Sequence, residues 1–281
     1  MNNQLKTMIL LASLTGLMLW IGRLLGGSTG LIIAFIFVFG INILMYYFSD
    51  KIVLTMYRAK EVKKESKIYA LVKDVANKAR VPMPKVYLIK SKNPNAFATG
   101  RDPEHSAVAC TEGLLDILEE DEIKGVIAHE IGHVKNRDTL ITTVAASIAG
   151  VISYLGTMVR WGFMFGTGSR DNDNSIIELI VLAILAPLIA TLLQLAISRQ
   201  REYLADRASA EITMKPLSLA SALEKIEHGV KLHPMTMGNA TTSSLFIANP
   251  FRGNGILNLF STHPPIAERI KKLKAMKLTY E

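Results

Sequence analysis

The chain has 281 residues, 49% of them hydrophobic and 20% charged, with a formal net charge of +8. A mean hydropathy of +0.27 is too apolar for an ordinary soluble enzyme of this length and points to membrane segments joined to a soluble part. The basic residues cluster beside apolar runs, without RNP-like aromatics or zinc-finger spacing, which argues against nucleic acid; the single cysteine, Cys110, excludes an internal disulfide and suits a reducing compartment.

Two apolar runs open the chain, at 8–25 and 30–48. The first contains one charge, Arg23, and the second contains none. Each approaches the ~20 residues that a spanning helix needs. A cleaved leader is the other reading of the first run, since Lys6 precedes it, but no small-x-small cleavage site follows. The turn Gly26-Gly27-Ser28 instead predicts a transmembrane hairpin over 1–50. Lys51, Arg58, Lys60, Lys63 and Lys64 come next, and the positive-inside rule puts them in the cytoplasm.

Residues 51–138 read as the first part of a cytoplasmic domain. Ile68, Leu71, Val72, Val75 and Ala79 repeat at helical spacing opposite a lysine face, which predicts a surface helix over 62–80. Pro82 and Pro84 end it. "KVYLI" at 85–89 reads as a strand, and 95–100 and 105–111 as two more around the turn "GRDP". A helix is expected over 121–136, with Glu119 to Asp121 at its positive end.

That helix carries "IAHEIGHVKN", with His129 and His133 one turn apart on one face. Two neutral imidazoles so placed can share a tetrahedral zinc, with Glu130 beside them to bind a water. The bland reading is a pair of half-buried histidines satisfied by backbone groups.

A second pair of apolar runs follows, at 140–159 and 176–197, with Glu178 as the one charge. Thr142, Thr143, Ser147, Ser153, Pro187 and Gln194 interrupt them. Two readings stand: a second spanning hairpin over 139–198, or a buried helical hairpin of the soluble domain. Lys135 and Arg137 before the pair, and Arg199, Arg201 and Arg207 after it, put both flanks and both termini in the cytoplasm.

The remainder, 199–281, is the second part of that domain. Pro216 and Gly229 punctuate a helix over 216–229. The stretch 236–262, rich in Gly, Asn, Ser and Thr, reads as a long loop, and a last helix is expected over 265–276. A zinc site needs a third ligand. A metzincin would have Gly at 136 and His at 139; Asn136 and Thr139 exclude that. "SRQREYLADRAS" offers Glu202 as a ligand, with Asp206 one turn on to hold an imidazole from behind. Both also read as surface charges pairing with Arg201 and Arg207, and spacing does not decide between these.

Taken together, "HEIGHVKNRD", "REYLAD", "NPNAFATG", "LFIANPF" and "STHPP" resemble the HtpX-type membrane zinc endopeptidases, relatives of the CAAX prenyl endopeptidases. The resemblance runs over nearly the whole chain. It implies a mainly α fold with a small β-sheet: a multi-pass membrane protein with a zincin-like (gluzincin) catalytic domain. It implies one zinc held by His129, His133 and Glu202, with Glu130 as catalytic base. It further implies a cell-membrane protease, its site facing the cytoplasm, that cleaves membrane or misfolded polypeptides in envelope quality control and the stress response.

Within that reading three ligands leave a fourth zinc position for water, whose proton Glu130 takes. His263 in "STHPP" is a candidate donor to the oxyanion, or else a histidine that packs at a helix start. Asn95 is a candidate for binding substrate backbone beside an edge strand, or else a turn residue after Pro94. His105, His228 and His233 read as surface histidines and Cys110 as packing. Two other functions fit less well. A zinc-binding scaffold or holdase has no use for Glu130, and a transporter path along Glu178 and Glu202 has too few intramembrane charges.

Overall fold

The computed structural model describes residues 3–145, 199–238, 240–251 and 264–276. Helix α1, Asn3–Met56, breaks at Gly26 and Gly27, where φ takes the values −138° and +59°. The break folds it into two arms, tied by a 2.8 Å bond from Asn42 Nδ2 to Thr15 Oγ1. The segment Gly26–Met56 is long and apolar enough to cross a membrane, and Ile33, Ile36, Phe37 and Phe39 on it are all more than half exposed.

A four-stranded sheet follows in the order β1-β2-β4-β3. β1 (Lys60–Glu61) runs antiparallel to β2 (Lys85–Ile89), β2 parallel to β4 (Ser106–Thr111), and β3 (Ala96–Gly100) antiparallel to β4. The three strands after the first lie where the sequence put them. Between β1 and β2 stands α2, Lys67–Ala79. It is shorter than the 62–80 expected, because the Ser66 side chain caps it and β1 claims the chain just before. Arg80, in the left-handed region, closes it ahead of the prolines.

After β4 come α3 (Glu112–Ile117) and α4 (Glu120–Lys135), then α5 (Arg199–Thr213), α6 (Pro216–Leu232) and α7 (Ile266–Ala275). α6 does not stop at Gly229. A Cβ at that position would lie 2.5 Å from Pro94 Cγ, so the glycine serves close packing within the helix rather than its end. α4 is the central element. Ile123, Val126, Ile127, Ile131 and Val134 are all buried on it, each contributing roughly 1.5–3 kcal/mol of hydrophobic stabilisation. α2, α6 and the sheet share that core.

A second core joins the base of α1 to the other face of the sheet. Tyr57, Phe97 and Phe246 meet there with ring centroids 5.0 to 5.9 Å apart. Phe246 belongs to the stretch expected as a long loop. Its described part instead forms a 3-10 turn, Ala240–Leu245, and a buried strap through Ala248. The small polar residues there are inside because Thr242 bonds the Tyr57 hydroxyl and Ile247 N–H donates to Ala96 C=O at 3.1 Å. Of the second apolar pair, 139–145 is helical and Ile141, Val144 and Ala145 are fully buried, with Thr143 on Thr99 at 3.0 Å. The rest of both runs, with Glu178, lies outside the described residues.

Candidate metal centre

α4 begins with a reciprocal cap: Glu119 N–H donates to the Glu122 carboxylate at 2.8 Å, and the Glu119 side chain accepts in return. Gly132 in its last turns has no side chain, so α5 packs close; a Cβ there would meet Ala208 Cβ at 3.1 Å and Ala205 Cα at 3.3 Å. This approach sets Glu202 of α5 opposite the histidines of α4.

His129 Nε2 and His133 Nε2 are 3.2 Å apart. Glu202 Oε2 lies 3.6 Å from the first, and Oε1 lies 3.6 Å from the second. Zinc bonds of ~2.0–2.1 Å at a tetrahedral angle put neighbouring ligand atoms ~3.3 Å apart. The triangle therefore fits a single ion of that size. The three residues also form the one group of metal-capable side chains found among the described residues.

Each imidazole is held from behind. His133 Nδ1 is 3.2 Å from Asp138 Oδ2, and His129 Nδ1 is 2.9 Å from Asp206 Oδ1. A carboxylate at Nδ1 fixes the proton there and turns the Nε2 lone pair toward its neighbour. Burial and Arg269 work against a proton on His129, yet the bonds to Asp206 and Glu202 outweigh them and raise its pKa to about 9. A metal ion arriving at this ring must displace that proton. Burial works against the Asp206 charge as well, but Arg269 and His129 hold its carboxyl at about 2.

Glu130 is 2% exposed and accepts from Ala98 N–H of β3. Burial raises its pKa above the ordinary carboxylate range, the two histidines draw it down, and Glu202 pushes it up again. A carboxylate with raised proton affinity beside a cleft is suited to general-base work. The cleft itself is lined by Ala98, Thr139, Thr142, Ser244, Phe246 and Ile247 along with the metal-site residues.

The structure thus brings His129, Glu130, His133, Glu202 and Asp206 together, and Glu202 and Asp206 are not surface charges. They are 4% and 1% exposed, and Arg207 pairs instead with Glu211 at 2.7 Å. Asn95 differs from the expectation. Its carboxamide donates to Ala248 C=O at 2.8 Å and to Asn93, and accepts from Ala96 and Ala248 N–H, so it pins the strap to β3 and has no group left for substrate. His263 lies outside the described residues. His105, His228 and His233 are exposed, and Cys110 is buried in β4 with its thiol pushed up to about 12 by burial and by Glu130.

Two residues escaped the sequence reading. Asp138 had no signal of its own; the left-handed Arg137, with φ of 56°, turns it back to His133. Arg269 had one. It stands three residues after Ile266 and four before Leu273, a charge set on the apolar stripe of a helix.

Comparison with known proteins agrees with this geometry. Residues 62–277 match the model of peptidase family M48. The chain is 50% identical to a protease HtpX homologue of Syntrophobacter fumaroxidans over 98% of its own length and 100% of the relative's. Against that of Pyrococcus furiosus it is 51% identical, covering 97% of this chain and 96% of the relative. The crystal structure of S. mikatae Ste24p shares the fold, with a TM-score of 0.52 and 19% identity; 96% of this chain aligns, spanning 65% of that one. The family implies a divalent metal, and the three clustered side chains supply a place for it. The chain therefore belongs to peptidase family M48, and it is a metalloendopeptidase.

Proposed function

We propose that the chain is a zinc-dependent endopeptidase anchored in the cell membrane, with a zincin-like catalytic domain that cleaves membrane or misfolded polypeptides on the cytoplasmic side. The observation that carries this is the triangle of His129, His133 and Glu202, with Glu130 buried against it. These three residues would hold the zinc, whose chemistry there would be that of a Lewis acid toward a water and the scissile carbonyl.

The chain's own residues do the rest. Asp206 and Asp138 engage Nδ1 of the two imidazoles and so turn each Nε2 toward the position a metal would take. Glu130 takes the proton of the attacking water on its carboxylate and gives it to the leaving amide nitrogen. The residues lining the cleft orient the peptide.

The exposed apolar surface of Gly26–Met56 supports insertion in a bilayer as one half of a hairpin over 1–50. Lys51, Arg58, Lys60, Lys63 and Lys64 directly after it support a cytoplasmic domain assembled from 51–138 and 199–281, with 139–198 as a second apolar hairpin and a multi-pass topology. Substrates are then cut in cytoplasmic loops or tails, or after extraction, and not in mid-bilayer.

The test is Glu130→Gln in the full-length protein in detergent, with an unfolded model substrate. Cleavage falls on the order of 10²–10⁴-fold while metal content stays that of the wild type. Undiminished cleavage would remove Glu130 from the reaction.

A further inference from the structure

Among the described residues Arg269 is the largest fully buried side chain, 0% exposed, and it comes from the last described helix rather than from either helix of the triangle. Its Nε and Nη2 grip both oxygens of Asp206 at 3.0 and 2.7 Å, a bidentate fork. Its Nη1 donates to Ile247 C=O at 3.0 Å, in the wall of the cleft, and lies 3.7 Å from Glu202 Oε2. Nη2 is 3.3 Å from His129 Nδ1 and 3.4 Å from Nε2. Nη2 thus sits within hydrogen-bonding distance of both ring nitrogens of His129. One cation therefore touches α4, α5 and the strap at once.

Burying an arginine is costly, and well-packed apolar side chains commonly serve stability as well. Here the charge has specific work. Glu130, Glu202 and Asp206 crowd three carboxylates into one buried site. Asp206 has two oxygens and would rotate freely between partners unless both were fixed. With Oδ2 held by Nε and Oδ1 shared between Nη2 and His129 Nδ1, the carboxylate plane is locked, and with it the direction of His129 Nε2.

We propose that Arg269 is a positioning residue of the metal site: through Asp206 it fixes the orientation of His129, and through Ile247 it ties the cleft wall to the same centre. This rests on the metal-site reading above. Removing the guanidinium leaves the three ligands in place but frees the Asp206–His129 unit to turn.

The test uses the full chain in detergent, with zinc and cobalt(II) as probes. In Arg269→Met, zinc affinity measured by chelator competition falls about 10–100-fold, the usual effect of losing a partner behind a ligand. The visible bands of the cobalt-substituted protein, which report ligand symmetry, shift and weaken. Because Arg269 acts through Asp206, Asp206→Asn combined with Arg269→Met loses little more affinity than Asp206→Asn alone. Arg269→Lys keeps the charge but not the fork, so it also loses affinity, though less; it carries the test should the methionine variant fail to fold. Folded Arg269 variants with wild-type zinc affinity and cobalt spectrum would overturn the proposal, as would losses that multiply fully in the double variant. Failure of the wild type itself to bind either ion would instead overturn the metal-site reading.

Discussion

The apolar hairpin of α1 and the core helix α4 break the same rule in opposite directions. On α1, Ile36 and Phe37 are 66% and 62% exposed; on α4, His129 and Glu130 are 1% and 2% exposed. A soluble protein hides its large apolar side chains and shows its charges. Isoleucines turned outward on one helix suit a solvent of another kind, the bilayer of the proposed function. Where the other turns its ionisable groups inward, the groups must satisfy one another, and they do so in a geometry that suits a metal ion. The two inversions locate the two halves of the proposed function: one helix meets the bilayer and the other does the chemistry.

The comparison breaks most readily at α1. Ile36→Arg puts a charge near the middle of the apolar surface, at a cost of about 2.5–3.5 kcal/mol to insertion. More of this variant should be extracted from membranes by alkaline carbonate, with the metal content of the folded protein unchanged. Retention equal to the wild type would mean that this face does not meet lipid.

A smaller effect sharpens the other half. Glu122 caps α4 and accepts from Ser221 at 2.6 Å and Lys225 at 2.8 Å on α6. Burial pushes its pKa up, but the bonds from Lys225, Ser221 and Glu119 prevail and lower it. A folded pKa below the unfolded one gives stability that is fully present above the ordinary carboxylate range and is lost as pH falls through it. Glu122→Gln should cost about 1 kcal/mol near neutrality, allowing for the exposure of Lys225, and progressively less in acid. Denaturant titrations at several pH values read this directly. A difference independent of pH would show that the Glu122 charge contributes nothing.

How much of this was legible in the sequence follows from the distance over which each signal acts. His129 and His133 are one turn apart, so helical periodicity alone puts them together. β2, β3 and β4 announced themselves by local composition, and the end of α2 by the prolines after it; β1, two charged residues paired to β2, carried no such signal. Glu202 could not be told from a surface charge, because what buries it is the approach of α5 to Gly132, made by residues about 70 positions apart in the chain. The strap at 240–248 looked like loop because its residues are small and polar; it is buried through bonds to Asn95 and Ala96, which no local pattern encodes. Asn95 was misread for the same reason: a carboxamide beside a strand looks available until its partner from far along the chain is in place.

The central claim is that one metal ion is held jointly by α4 and α5. Metal content per chain, measured on purified wild type and on Glu202→Ala after equal dialysis against a weak chelator, tests it most directly. The account predicts close to one zinc in the wild type and a large loss in the variant, with the fold retained. Equal zinc in both would show that Glu202, though 3.6 Å from each ring, is no part of the site.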